Sequence, residues 1–437
     1  MIVEFSVKNF RSIKELQTIS FVATKLDSNK DKYPDVDNNN IVEEGDMRLL
    51  KTIGIYGANA SGKSNVIRAL EYFIQAIKNE PSSESNLRSL CDPFLYQDNA
   101  SESESFFQLT LITNNKKYRY GFTVKRNLDV KENDSKEIIT SEWLYGQKEK
   151  NMVEFFIRKE MEVNKDNLPN EDLIPTLPYK HSLFLTHAAA FDGAGTCKLI
   201  RNYLQSRTIS NYSNGLDQFR KNTIWYLQVN NEINKENLLK LLSSFNLKYD
   251  NLYLDIEKNE NSEPIFVDDL PHDKIFLFKK IKGTPHLTYN VLNLKDNESA
   301  GTRKLFDLAG LLIRIFNEVP VSILIILDEL DSEFHPALLI KLIELFNDPE
   351  INKSKSQLLF TSHDTNLLDP AIMRRDQFYF TEKDENDATR LYSLADLKGI
   401  RNDADFAKQY LAGFYGAIPH LEDYINNSTE KNDKGLE

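Results

Sequence analysis

Apolar and polar positions along this chain change their period repeatedly, and each change marks an element. Residues 2 to 24 alternate in two runs, I-V-E-F-S-V and L-Q-T-I-S-F-V, a period of two that predicts a strand pair. Residues 27 to 46 are rich in Asp, Asn and Lys and predict a loop or disordered insertion. K-T-I-G-I-Y (51–56) reads as a short buried strand. From Gly62 the period lengthens, so that Val66, Ala69, Leu70, Phe73, Ile74 and Ile77 share one helical face. Residues 82 to 105 are polar apart from the island P-F-L-Y. Alternating runs at 106–112, 117–124, 138–144 and 153–157 predict successive antiparallel strands. Helical spacing dominates 197–247, and mixed strands follow over 252–292.

Beyond Arg303 the pattern becomes more apolar. Leu305, Leu308, Leu311, Leu312, Ile315 and Phe316 form a helix face in a helix expected to start near Lys304. The continuous apolar runs 323–327 and 358–361 flank a helix over 336–346. Apolar strands alternating with helices predict a parallel sheet covered on both faces, so the fold class is α/β. No repeat or long heptad array is present.

The junction of the first apolar strand and helix carries G-A-N-A-S-G-K-S, Gly57 to Ser64, which fits G-x-x-x-x-G-K-[ST] at every fixed position. Gly57 and Gly62 permit a tight cradle whose N–H groups face phosphate oxygens. Lys63 sets a charge beside the outer phosphates, and Ser64 offers a hydroxyl to Mg²⁺. A strand, a glycine loop and a helix in that order place a helix N-terminus under the phosphates of a nucleotide.

Later residues complete a constellation. I-L-I-I-L-D-E (323–329) ends an apolar strand in two carboxylates at the sheet edge where α/β folds bind ligands. Asp328 suits a metal-holding role and Glu329 a general base. E-S-A-G-T-R (298–303) sets Ser299 and Gly301 at a helix start, which reads either as an ordinary cap or as a second anion site. L-L-F-T-S-H-D places His363 at a strand end, which reads either as a structural histidine or as a hydrogen-bond partner for a terminal phosphate.

Composition narrows the class. The chain has 437 residues, 41% hydrophobic and 27% charged, with a net charge of −12 that argues against a broadly basic nucleic-acid surface. Two cysteines, Cys91 and Cys197, are too few for a disulfide framework and suit a reducing compartment. The longest apolar run, 319–327, is too short to cross a membrane, and the N-terminal residues alternate like a strand rather than a signal peptide. The expected location is cytoplasmic.

The order of P-loop, S-x-G, D-E, D-S (Asp331, Ser332) and S-H resembles that of ABC-type ATPases, in the branch shared by RecF, SMC and OLD proteins. Asn59 and the opening F-S-V-K-N-F-R-S-I-K (5–14) are similar to that branch. D-E-L-D-S-E-F-H-P (328–336), F-Y-F-T-E-K-D (378–384), L-Y-S-L-A-D-L (391–397) and Y-L-A-G-F-Y-G-A-I-P (410–419) resemble the RloA/AbiL-type ATPases of bacterial phage defence. The resemblance implies an ABC-ATPase head with a mixed N-terminal β-subdomain, a central P-loop sheet flanked by helices, and an inserted helical lobe. Its implied divisions are 1–80 (N-terminal half of the head), 81–195 (β-rich extension), 196–292 (inserted helical or mixed lobe) and 293–437 (C-terminal half, ending in a hairpin and helices).

For the site, it implies that Gly57, Asn59, Ala60, Ser61, Gly62, Lys63, Ser64 and Asn65 hold ATP, with Arg11 near the nucleotide. Ser64 and Asp328 hold Mg²⁺, Glu329 is the catalytic base, and His363 senses the γ-phosphate. Ser299 and Gly301 meet the ATP of a second copy, and Asp331 and Ser332 line the interface. Two glutamines, Gln97 and Gln108, are candidates for the Q-loop position. The L-F-L-T-H-A-A-A-F stretch (183–191) sits suitably but has no glutamine.

The function this implies is a Mg²⁺-dependent ATPase that dimerises around ATP as sensor of an abortive-infection or restriction-associated system. It would control a separately encoded effector, such as a TOPRIM-type nuclease, with DNA or a phage component as a further partner. A RecF-like DNA-repair ATPase is the alternative. An SMC-type arm is excluded by the short, aperiodic stretch between Lys63 and Ser299, and a kinase or small GTPase has no use for Ser299 and His363. The residues after His363 are too few for a nuclease domain. Asp384, Glu385 and Asp387 read as a solvated hairpin tip, and Asp268, Asp269, His272 and Asp273 as a loop around Pro271.

Overall fold

A computed structural model describes residues 1–80, 82, 84–97, 100–127, 136–169, 171–193, 195–211, 217–229, 231–257, 265–281, 288–318 and 321–419. The last part of the expected C-terminal division, 420–437, lies outside the described residues. The chain is mixed α/β. A six-stranded sheet runs in the order Thr208–Ser210, Leu324–Leu327, Gln357–Thr361, Thr52–Gly57, Phe378–Lys383 and Thr389–Ser393. Its first five strands are parallel, and the sixth returns antiparallel from the fifth.

Burial on both faces explains the continuous apolar runs. Ile53, Ile55, Leu324, Ile326 and Leu359 point into one core, under the helix Lys63–Lys78. The alternate positions Tyr56, Ile325, Leu327, Leu358 and Phe360 point into a second core, beneath the helices Ala300–Ile313 and Pro336–Asn347. The first core is closed by a seven-stranded antiparallel sheet in the order 162–164, 151–159, 137–148, 116–126, 105–113, 2–8 and 17–20. Phe73 of the P-loop helix stacks on Phe122 of that sheet at 5.3 Å, tying the two sheets through one helix. A small three-stranded sheet, Asn251–Leu254, Ile275–Lys280 and Tyr289–Asn293, adjoins the second core through Leu252, Ile275 and Leu277.

Three elements differ from the sequence expectation. Within 27–46, a short helix (Val36–Asn40) and a strand (Ile41–Glu44) paired with Met47–Leu50 replace the expected loop. Polar burial orders them: Asn40 donates to Gln377 Oε1 (2.7 Å) and to Ile372 O (3.0 Å), and Asp37 pairs with Arg374. The helix expected near Lys304 starts at Ala300 with Ser299 as its cap. A strand of only three residues, Thr208–Ser210, interrupts the helical region and takes the sheet edge beside Leu324–Leu327.

Candidate nucleotide site

The carboxyl edge of the parallel strands gathers the motif residues. The strand Thr52–Gly57 delivers the loop, which enters the helix at Gly62 with φ of 111°; Gly57 has φ of 151°. Only glycine fits either place. A Cβ on Gly62 would lie 2.1 Å from Thr389 Oγ1, and one on Gly57 would lie 2.4 Å from the Thr381 carbonyl oxygen. The loop is thus braced by the hairpin Phe378–Ser393. Ser61 Oγ and Thr381 Oγ1 are 2.6 Å apart, and Thr389 Oγ1 donates to Ser61 O at 2.9 Å. Asn65 donates to Ser12 Oγ at 2.7 Å, and Ser12 O accepts from Thr389 N. Asn59 and Ala60 form the exposed crest of the loop, with Ala60 at φ of 62°.

Lys63 is buried and folds back onto the carbonyls of Gly57 (2.8 Å) and Ala58 (3.0 Å). Burial lowers its pKa, while Asp328, Asp331 and Glu329 oppose that shift. Asp328 Oδ1 accepts from Ser64 Oγ at 3.2 Å and from Thr361 Oγ1 at 2.6 Å. Glu329 is exposed at φ of 51°, its N–H held by Thr361 Oγ1 at 2.7 Å. A non-glycine residue in that region costs about 1–2 kcal/mol, which the surrounding bonds offset. The His363 N–H donates to Asp331 Oδ2 at 3.1 Å, and burial together with the Lys63 charge holds the His363 imidazole below its ordinary pKa of 6.5. The other Asp331 oxygen is buried without a hydrogen-bond partner among the described residues.

The structure therefore brings Lys63, Ser64, Asp328, Glu329 and His363 together. It leaves Ser299 elsewhere. Ser299 is exposed, caps its own helix by accepting from Thr302 N at 3.2 Å, and forms no hydrogen bond to the P-loop among the described residues. Gly301 sits against the backbone after Glu329, where a Cβ would meet Glu333 O at 2.5 Å. Arg11 is held by Asp92 (Nε to Oδ2, 2.9 Å) and lies over the rings of Phe10 and Tyr72. Its neighbour Ser12, not Arg11, bonds to the P-loop helix. Neither glutamine candidate reaches this edge. Gln97 bonds to Asn9 and Ser103, and Gln108 accepts from Trp143. Asp269 holds Arg220, His272 holds Asp307, and Asp384 closes its own turn by accepting from the N–H groups of Asn386 and Ala388.

Sequence reasoning missed Asn211. It follows the three-residue edge strand and clasps the Asp328 backbone in both directions, donating to Asp328 O (3.0 Å) and accepting from Asp328 N (2.9 Å). The only signal was the short run R-T-I-S-N between two helical stretches.

These residues fit a magnesium nucleotide. A hydroxyl and a carboxylate converge 3.2 Å apart beside a lysine whose acceptors among the described residues are loop carbonyls, below a glycine cradle at a helix start. Fold and site define a P-loop nucleotide-binding protein of the ATPase class. Residues 53–369, more than half of the chain, match the family profile described as "AAA domain, putative AbiEii toxin, Type IV TA system", and the chain belongs to that AAA-domain family. Among solved structures it is similar to the recombination mediator protein RecF of the RecFOR pathway with ATPrS, at 14% identity and a TM-score of 0.30, over 83% of this chain and 92% of that one. Comparison with curated protein sequences gives no match. No helix among the described residues is long and apolar enough to cross a membrane.

Proposed function

We propose that the chain is a Mg²⁺-dependent ATP hydrolase that closes as a dimer around two nucleotides. In this reading it is the cytoplasmic sensor of an RloA/AbiL-type anti-phage system and controls a separately encoded effector, of TOPRIM-nuclease type. The separation of Ser299 from the P-loop carries the reading. One chain supplies a phosphate cradle and an acidic edge, while its second anion-binding tip is exposed. Two chains complete each other when the tip of one covers the cradle of the other.

Bound ATP supplies the terminal phosphoanhydride to be broken; Ser64 and Asp328 would hold Mg²⁺, which would supply charge neutralisation. Lys63 exchanges its two loop carbonyls for phosphate oxygens. Glu329, exposed at the end of its strand, takes the proton of the attacking water. Asn211 and Thr361 keep the Asp328–Glu329 backbone from drifting while this happens. His363 donates to the terminal phosphate. The region 92–292 offers the effector its docking surface.

Glu329→Gln should retain ATP binding and accumulate as a dimer. Mass measurement with and without ATP checks this, and a variant that stays monomeric in both overturns the sandwich. Tight, salt-resistant binding of the ATP-loaded protein to double-stranded DNA ends would favour the repair alternative.

A further inference from the structure

The helix behind the Ser299 tip contains a buried lysine that the mechanism above does not use. Lys304 is 4% exposed. Its Nζ donates to Ser332 O (2.7 Å), Ser332 Oγ (2.8 Å), Leu330 O (3.1 Å) and Glu329 O (3.4 Å), and lies 4.9 Å from the centroid of Phe334. Among the described residues no carboxylate lies within ion-pair distance of it. Burying an ammonium among carbonyls is unfavourable compared with burying a methionine of similar length, unless the loop it holds needs a fixed shape. Every acceptor belongs to one run, Glu329 to Ser332, which starts with the proposed general base. The next residue meets the tip as well, because Gly301 packs on Glu333 O with no room for a Cβ. Glu329 and Glu333 both hold positive φ, at 51° and 70°, so this turn has a defined shape rather than a relaxed one.

We infer that Lys304 is a positioning residue that joins the Ser299 tip and the Glu329–Ser332 turn into one body. The inference rests on the sandwich reading. In a closed dimer the tip faces the nucleotide of the partner, whereas Glu329 faces the nucleotide of its own chain. A tip drawn in by one phosphate then adjusts the base at the other site. The two sites fire together, and Lys304 is the strut between them.

The test uses the full chain and steady-state ATP hydrolysis against ATP concentration. The wild type should give a sigmoidal curve, with a Hill coefficient above 1 and bounded by the two sites. Lys304→Met should bring it to 1 and lower kcat by about tenfold, with ATP binding by a fluorescent analogue changed less than about twofold. Lys304→Arg should restore part of the cooperativity, because one donor still reaches the turn. If Lys304→Met folds poorly, Ser332→Ala, which removes a single acceptor, should show the same loss of cooperativity in smaller degree.

A cooperative Lys304→Met enzyme, or one that loses ATP binding along with turnover, overturns the strut and leaves the sandwich standing. A wild type that is hyperbolic and monomeric at full turnover overturns the sandwich itself.

Discussion

The P-loop and the Ser299 tip, the two ends proposed to meet phosphate, are built in opposite ways. The P-loop is finished within one chain, its Lys63 satisfied by its own carbonyls and its glycines locked against Thr381 and Thr389. The Ser299 hydroxyl bonds only to Thr302 of its own helix among the described residues, and it faces solvent. A finished cradle binds without help, whereas an open tip needs something to close on. That difference separates binding from turnover, and substitutions at the two ends should divide accordingly.

Gly62→Val should have the largest effect. Its branched side chain would overlap Thr389 at a backbone angle only glycine tolerates, so ATP binding should fall by at least about a hundredfold. Ser299→Arg should leave binding within about twofold yet abolish turnover, because the loss falls only on the assembled state. Equilibrium binding and hydrolysis measured side by side decide this. Equal loss of both functions in Ser299→Arg would erase the distinction between the ends.

A smaller effect is expected at Asn211, which belongs to the cradle side and whose side chain bonds to the backbone of Asp328. Asn211→Ala leaves that N–H and carbonyl without their partner, at about 1–3 kcal/mol. The expected result is a kcat reduced about tenfold or more with nucleotide affinity nearly kept. Unchanged kcat would show that Thr361 alone holds the acidic edge.

The smallest effect concerns pH. Because burial and then Lys63 lower the His363 pKa below 6.5, the unfolded chain binds the proton more readily. The contribution of His363 to stability is therefore complete above about pH 6.5 and is lost as pH falls through the lower folded value. NMR titration should show its midpoint rising in Lys63→Met. A midpoint that stays put would mean that burial alone sets it.

Much of the cradle side could be read without coordinates. Its strands are largely apolar and its glycines stand at fixed spacing, so periodicity and chemistry agree over 51–64 and 323–329. Residues 36–50 were hidden because their order comes from buried polar contacts, Asn40 with Gln377 and Asp37 with Arg374, which leave no apolar rhythm. Asn211 was hidden because three residues are too few to show a period, and a parallel partner over a hundred positions away defines that strand. Lys304 sits in a helix face otherwise read as apolar. A single cation there looks like a solvated interruption until its acceptors are seen. The start of that helix was placed late for a related reason: Ser299 is both the cap and the candidate anion contact, and an apolar pattern registers neither.

The hairpin that braces the P-loop has a consequence for how the protein is made. Thr381 and Thr389 reach the cradle from more than three hundred positions downstream. During synthesis the glycine loop waits, unsupported, until more than three hundred further residues have emerged. A nascent or prematurely terminated product therefore lacks the scaffold to grip a triphosphate, and competence arrives late and all at once, with the last strand of the sheet.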